Sequence, residues 1–170
     1  MKQICIDTHL LIWGVQGHAS AGQEEMVPRT KTFFQDCRKS KLRVMVPSIV
    51  VGEFLMGIEI NDHVDTVKRL QNSFILQPYD SLAAVVFARL WRERKESGLL
   101  ESIRSESPPV TRSESKADAM IVATAIAAKA GIIYSHDMGL KKFADKDISV
   151  IEMPRKEYQV NAPLQYPPAQ

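Results

Sequence analysis

Residues 115–144 read SKADAMIVATAIAAKAGIIYSHDMGLKKFA, and this stretch decides the predicted fold. Its pattern predicts a helix, a turn at Gly131, a short apolar strand and the start of another helix. Asp118 falls on the apolar stripe of the first helix, and Asp137 follows the end of the strand. A carboxylate on a buried stripe is costly unless a cation meets it, so both aspartates need an explanation from the rest of the chain.

The composition is that of an ordinary globular protein. The 170 residues favour one domain, with 45% apolar residues, 25% charged residues and a net charge of +2. This charge creates no strong basic field, so nucleic-acid binding would depend on a local basic patch. The two cysteines, Cys5 and Cys37, favour a reducing cytoplasm over a disulfide framework. No apolar run approaches the roughly 18 residues that span a membrane, so we expect a cytoplasmic protein without membrane contact.

Short apolar strands alternate with helices along the chain. The predicted strands are residues 2–6, 42–46, 74–76, 132–135 and 147–153. This alternation predicts an α/β fold with a mostly parallel sheet and helices on both faces. We expect one domain over residues 1–153 and a Pro-rich tail over residues 154–170, extended or disordered. Residues 98–113 are expected to form a mobile loop with one short helical piece near 100–103.

Several expectations concern the ends of helices. Thr8 is predicted to cap the first helix, and Asp80 to cap the long helix that follows it. The polar residues 14–30 are predicted to be a loop before a helix at 31–39. The helix at 49–60 is apolar nearly all round, which indicates burial.

Four acids stand out against this background, namely Asp7, Glu53, Asp118 and Asp137. In parallel sheets the site lies beyond the carboxyl ends of the strands, where Asp7 and Asp137 are predicted to lie. Each acid also has a local interpretation. Asp7 could begin a turn, Asp137 could cap the next helix, and Glu53 could form a surface salt bridge. Asp118 could complete a capping box that begins at Ser115.

A metal site would explain all four acids together. Clustered carboxylates repel each other unless a divalent cation neutralises them, and their hard oxygens suit Mg²⁺ or Mn²⁺. Such ions activate water for phosphodiester cleavage, so the chemistry indicates a metal-assisted nuclease. The four histidines and two cysteines show no zinc-ligand spacing, and there is neither a P-loop nor a GxGxxG motif.

At these residues the chain resembles the PIN-domain family and, within it, the VapC-type toxins of bacterial toxin–antitoxin pairs. The matching segments are IDTHLLIWG (6–14), VPSIVVGEFLMGI (46–58), KADAMIVATAIAAKAGIIYSHD (116–137) and MGLKKF (138–143). The resemblance implies a three-layer α/β/α fold and a Mg²⁺- or Mn²⁺-dependent endoribonuclease acting on RNA. It also implies the toxin role in a type II pair, a cognate antitoxin as partner and a homodimer.

The resemblance carries the family's catalytic and metal-binding acids onto Asp7, Glu53, Asp118 and Asp137. It places the hydroxyls of Thr8 and Ser135 beside them, where they could orient a carboxylate or a metal-bound water. His9 and Trp13 match a variant of the opening motif, and a structural role is expected for both. Positions 138–142 hold no further acid, so four acids remain, which are enough for one metal and marginal for two.

Phosphate contacts with RNA would come from basic side chains. The candidates are Arg112, Lys116, Lys141 and Lys142. Each could equally lie on a solvated helix face, and nothing in the sequence indicates base readout.

Other functions are compatible with the same fold. A non-toxin PIN nuclease in RNA processing would use the same acids, whereas a catalytically silent RNA- or protein-binding module would not bind metal at them. A receiver-like signalling domain would need paired acids near the first strand and a Lys after a late strand. The chain has Asp7 alone at the first position and no such Lys, which argues against the receiver.

Overall fold

A computed structural model of the chain describes residues 3–105, 111–144 and 146–154. The described strands are Gln3–Ile6 (β1), Arg43–Pro47 (β2), Ile75–Gln77 (β3), Ile132–Tyr134 (β4) and Val150–Ile151 (β5). They form one sheet in the order β3-β2-β1-β4-β5, and every neighbouring pair is parallel. The predicted α/β fold with a mostly parallel sheet is therefore confirmed.

Helices fill the connections between these strands. The described helices are Thr8–Leu11 (α1), Met26–Lys39 (α2), Ser48–Leu55 (α3), His63–Ser73 (α4), Ser81–Glu96 (α5), Leu99–Arg104 (α6), Arg112–Ala127 (α7) and Met138–Ala144 (α8). The chain moves from β1 to β3 in one direction, then returns across the sheet to β4 and β5, so right-handed connections place helices on both faces. None of the described helices is long and apolar enough to cross a membrane.

The central strands are buried on both faces, as all-parallel sheets usually are. Ile4, Cys5 and Ile6 of β1 have no exposed area, and Ile133 of β4 is equally buried. The ring of Phe33 on α2 packs against Tyr134 at the end of β4, with 4.7 Å between centroids. This packing fixes the carboxyl edge of the sheet, where Asp7 and Ser135 follow the strands.

The first two helices begin at other residues than the sequence pattern predicted. Asp7, not Thr8, caps α1, since its carboxylate accepts the Leu10 N–H at 3.3 Å. Helix α2 begins at Met26, five residues before the predicted start. Met26 and Thr30 are both buried, and the Thr30 hydroxyl donates to the Met26 carbonyl. Tertiary burial therefore extends a helix into a segment whose composition is typical of a loop.

Helix α3 is shorter and more exposed than predicted. It ends at Leu55, and Met56 directly after it is 86% exposed. Gly52 also faces solvent, so the helix has an open face despite its apolar sequence. The expectation of burial all round was wrong, because a row of apolar residues does not show how many sides other elements cover.

The ends of the later elements also differ in part from expectation. Asp80 caps α5 as predicted, accepting the Ala83 N–H at 2.9 Å. The capping box of α7 is formed by Thr111 and Glu114, so the interpretation with Ser115 and Asp118 was wrong. Strand β5 is shorter than the predicted 147–153.

The predicted loop at 98–113 and the predicted tail are described only in part. The expected helical piece is present as α6, whose Leu100 and Ile103 are buried. Residues 106–110 of the predicted mobile loop lie outside the described residues. The tail, from residue 155 onward, also lies outside them.

Candidate active site

The candidate site lies where the strand order reverses. The chain runs from β1 towards β3 on one side, whereas β4 lies on the other side of β1. The Asp7 N–H donates to the Tyr134 carbonyl at 3.3 Å, so the ends of β1 and β4 remain joined. A crevice beyond the carboxyl ends of such neighbouring strands is the usual binding position in open parallel sheets.

A cleft of about 530 Å³ opens at this position, and all four predicted acids line it. Asp7 follows β1, Glu53 projects from α3, Asp118 from α7, and Asp137 precedes α8. Each carboxylate therefore arrives on a different element, and the fold alone brings them together.

Asp7 is the most deeply buried of the four acids, with 3% of its surface exposed. One carboxylate oxygen caps α1, and the other accepts a hydrogen bond from the Ser135 hydroxyl. The imidazole Nδ1 of His9 lies 3.7 Å from this second oxygen. The local role of Asp7 is therefore that of a helix cap, and the same contacts hold its carboxylate at the cleft.

Two hydroxyls link the acids to one another. Thr8 donates to Oε2 of Glu53, joining α1 to α3. Ser135 donates to Asp7 and accepts the backbone N–H of Asp137 at 2.9 Å. Such bonds hold carboxylates in one orientation, as supporting groups around a metal do.

Asp137 caps α8 and crowds the backbone that follows it. Its Oδ1 accepts the N–H groups of Gly139 at 2.7 Å and Leu140 at 3.3 Å. A Cβ atom at Gly139 would lie 3.1 Å from this oxygen and 3.2 Å from Oδ2 of Asp118. A glycine therefore leaves room for both carboxylates, a requirement that the sequence alone did not reveal.

Asp118 has no hydrogen bond or ion pair to any described residue. Burial raises the pKa of its carboxyl to about 7, and the charges of Asp137 and Glu53 add to the effect. The pKa of His9 is also raised, chiefly by the neighbouring carboxylate of Asp7, which outweighs the opposing effect of burial. The cleft therefore attracts positive charge and protons.

The donor chemistry of the cleft fits a hard divalent cation. The four predicted carboxylates line it, and none of the described lining residues is Lys or Arg. In the described ranges, no three His, Cys, Asp or Glu side chains converge closely enough to hold one ion together. Mg²⁺ commonly takes only one or two carboxylates and keeps several waters, so a site for it does not require three convergent side chains.

The basic candidates lie outside this cleft. Arg112 and Lys116 are exposed on α7, and Lys141 and Lys142 are exposed on α8. Lys142 borders a separate depression that it shares with Lys146. None of the four therefore lines the acidic cleft, and their role in RNA binding stays a prediction.

Three lining residues were missed or undervalued in the sequence. Glu114 adds a fifth acid to the cleft wall, and the spacing of the Thr111 capping box was a signal that could have placed it there. His9 and Met56 also line the cleft, although His9 was expected to be structural and Met56 to be buried. Their exposure depends on which neighbours cover α1 and α3, and no local pattern carries that information.

The segments that build this cleft match a known family. A family model described as PIN domain covers residues 4–146. The chain belongs to the PIN domain family. A comparison with curated proteins finds no match.

Solved structures share the architecture of this PIN domain at low sequence identity. One is VapBC2 from Rickettsia felis bound to a DNA fragment from their promoter, with a TM-score of 0.61, 12% identity, and coverage of 87% of this chain and 96% of that chain. Another is DNA bound VapBC from Salmonella typhimurium, with a TM-score of 0.61, 16% identity, and coverage of 91% and 100%. A third is VapBC-1 from nontypeable Haemophilus influenzae, with a TM-score of 0.59, 12% identity, and coverage of 89% and 98%. These similarities show the fold.

Proposed function

We propose that this PIN domain is a Mg²⁺- or Mn²⁺-dependent endoribonuclease of the VapC type. The observation that supports this most directly is the convergence of four carboxylates from separate elements in one cleft. A buried acid with a purely structural role is normally paired with a cation. Asp118 has no hydrogen bond or ion pair to any described residue. Unpaired acids in a cleft are typical of a site completed by a ligand.

The roles of the residues follow from their contacts. When bound, Mg²⁺ or Mn²⁺ supplies a Lewis acid that activates water and neutralises phosphate charge. The proposed ligands are Asp7, Glu53, Asp118 and Asp137. Thr8 keeps Glu53 in place, and Ser135 keeps Asp7 in place, so the carboxylates need little reorganisation.

RNA is the proposed substrate, with its backbone bound outside the acidic cleft. Exposed basic residues lie on the same two helices that contribute or follow the acids. These residues are Arg112, Lys116, Lys141 and Lys142. Being exposed and outside the cleft lining, they would contact RNA phosphates without placing a cation among the acids.

The proposed biological role is that of a toxin with a cognate antitoxin. The fold of this chain is shared with structures of VapBC from three bacteria. The proposed toxin role is argued by analogy with these structures. An antitoxin segment could cover the acidic cleft, with an Arg paired to its carboxylates. Homodimer formation remains part of the same proposal.

The nuclease proposal is tested by cleavage of single-stranded RNA in Mn²⁺. We expect Asp7→Asn and Asp118→Asn each to lower the cleavage rate at least about a hundredfold while leaving the circular dichroism spectrum unchanged. EDTA should abolish cleavage by the wild type. Asp65→Asn is the matched control, because Asp65 is an exposed acid on α4 outside the cleft.

Calorimetric titration with Mn²⁺ separates an enzyme from a silent binding module. We expect binding by the wild type and weakened binding by Asp118→Asn. Cleavage that survives in both Asn variants or in EDTA would refute the nuclease proposal. Absence of Mn²⁺ binding together with absence of cleavage would indicate the silent module.

A further inference from the structure

His9 presents an aromatic ring at the mouth of the acidic cleft. It lines the cleft directly after Asp7 and Thr8, and half of its side-chain surface is exposed. The proposed hydrolysis gives it no role as a metal ligand. An exposed ring at this position is therefore available to a ligand in the cleft.

The ring of His9 is held by buried groups behind it. Its centroid lies 5.4 Å from that of Trp13, at an interplanar angle of 33°. Trp13 is 3% exposed and packs edge-on against His136, with 5.2 Å between centroids. Asp7 Oδ2 lies 3.7 Å from Nδ1 of the imidazole. These contacts support the ring, and half of its side-chain surface remains exposed.

Met56 is a second exposed side chain of the same cleft. It is 86% exposed, although methionine in this position was expected to be buried. It lies one helical turn beyond Glu53, and the bond from Thr8 to Glu53 joins α3 to α1. His9 follows Thr8 directly, so His9 and Met56 lie close to the two ends of this bond, and both line the cleft.

The chemistry of this rim suits a flat, uncharged group. The cleft floor is acidic, and among the described lining residues no Lys or Arg is available to bind a phosphate. A nucleobase has a π-face that stacks on aromatic rings, and single-stranded RNA is commonly recognised in this way. Methionine sulfur also makes favourable contacts with rings.

We propose that His9 and Met56 form a stacking subsite for one unpaired nucleobase beside the phosphate that is cleaved. This inference rests on the proposed nuclease function and specifies its substrate as single-stranded. Stacking accepts every base, so the subsite would position the strand without reading its sequence.

The test uses the full chain and a six-nucleotide single-stranded RNA that contains one 2-aminopurine. Ca²⁺ replaces Mn²⁺ during binding, and electrophoresis verifies that the RNA stays intact. We expect 2-aminopurine quenching on binding to the wild type. His9→Ala should lose the quenching and weaken affinity about fivefold or more, and Met56→Ala about threefold. His9→Phe should retain both properties.

Matched controls lie outside the cleft lining. His18→Ala removes an exposed histidine, and Met138→Ala removes a methionine that is 56% exposed beside Asp137. Neither substitution should change affinity or quenching. In cleavage assays with Mn²⁺, Met56→Ala should raise KM in proportion to the lost affinity and leave kcat within about twofold, because the proposed contact holds the strand and not the reacting atoms.

Several outcomes would overturn the stacking subsite. If His9→Lys bound like the wild type and His9→Phe bound like His9→Ala, the contact would be ionic and would involve phosphate. Unchanged quenching in His9→Ala, or no binding of the probe by the wild type, would equally reject it. Normal cleavage by the wild type in either case would show that the nuclease function stands and that only the subsite fails.

Discussion

The position of Asp118 in the cleft disfavours the charged form of its carboxyl. Burial and the neighbouring acids raise its pKa from an ordinary value of 3.8 to about 7. Between these values the folded protein binds more protons than the unfolded chain, so this carboxyl destabilises the fold increasingly as pH rises. The penalty is complete above about pH 7 and absent below about pH 4. A ligand that binds the folded state would offset it.

We predict that Asp118→Asn stabilises the protein in EDTA at pH 8, by on the order of 2 kcal/mol, or a few degrees in Tm. The amide removes the buried charge and its repulsion from Asp137 and Glu53. Thermal unfolding at pH 8, 6 and 4 should show the gain shrinking towards zero. The same variant loses cleavage, so stability and activity should change in opposite directions.

Asp65→Asn is again the control, because this exposed acid is outside the cleft. Its Tm should stay close to that of the wild type throughout the pH range. An Asp118→Asn variant that is less stable than the wild type at pH 8, or equally affected at every pH, would contradict the prediction that the charged Asp118 carboxylate destabilises the fold.

At the scale of elements, α8 joins the cleft to a buried ion pair. Its first turn carries Gly139 and follows the cap Asp137, whereas its last carbonyls accept hydrogen bonds from Arg94 of α5. Arg94 is 4% exposed and pairs with Asp147 at 2.6 Å. A guanidinium at a helix C-terminus is also favoured by the helix dipole. The pair therefore holds the helix that positions Asp137.

Replacing Arg94 with Met should destabilise the fold by about 3 kcal/mol, because Asp147 keeps only the more exposed Arg89 as a partner and the last carbonyls of α8 lose their donor. Chemical denaturation measures the change in the free energy of unfolding. Arg92→Met on the same helix is the matched control. Arg92 pairs with Glu96 at the surface, where the two side chains are 81% and 64% exposed, so its loss should cost less than about 0.5 kcal/mol.

The same pair predicts a pH dependence. Burial alone would raise the pKa of Asp147, but the hydrogen bonds from Arg94 and Arg89 outweigh it and lower the pKa. This contribution to stability is complete above the ordinary value of about 4 and is lost as pH falls below it. Asp147→Asn should therefore weaken the acid dependence of unfolding. An unchanged acid dependence would contradict the role of the pair.

At the scale of the whole molecule, the reversal of strand order sets the position of the cleft. Crossovers in both directions leave β1 and β4 adjacent, and none of the described connections covers their carboxyl ends. Helices α1, α3, α7 and α8 contribute lining residues to the cleft at this position. The proposed RNA substrate and the proposed antitoxin segment would both bind at this face.

We predict that expression of the wild type in a bacterial host arrests growth, because RNA cleavage without an antitoxin is unopposed. Asp118→Asn should not arrest growth, and co-expression of the small gene directly upstream in its genome should relieve the arrest. Growth curves and total RNA profiles measure both effects. Active cleavage in vitro with normal growth would favour a non-toxin nuclease of RNA processing.

The elements and the class of fold followed from local patterns, although several ends did not. Buried strands such as β1 are recognisable because Ile4, Cys5 and Ile6 are consecutive apolar residues, and Asp80 marks its helix by capping. The start of α2 at Met26 and the open face of α3 depended instead on which surfaces become covered. Such coverage involves residues distant in the chain, and local composition does not encode it.

The sequence by itself determined the α/β fold, the family and the four acids as a candidate group. The fold and the acids followed because strand ends and apolar helix faces repeat locally, and acids interrupt them at Asp7, Glu53, Asp118 and Asp137. The family followed from the resemblance of four sequence segments. Only the tertiary structure decided that Thr8 meets Glu53, that Ser135 meets Asp7, and that His9 and Met56 share a cleft. These contacts depend on the crossover geometry that brings separate segments within a few ångströms, whereas hydrophobic periodicity reports only on neighbours in the chain.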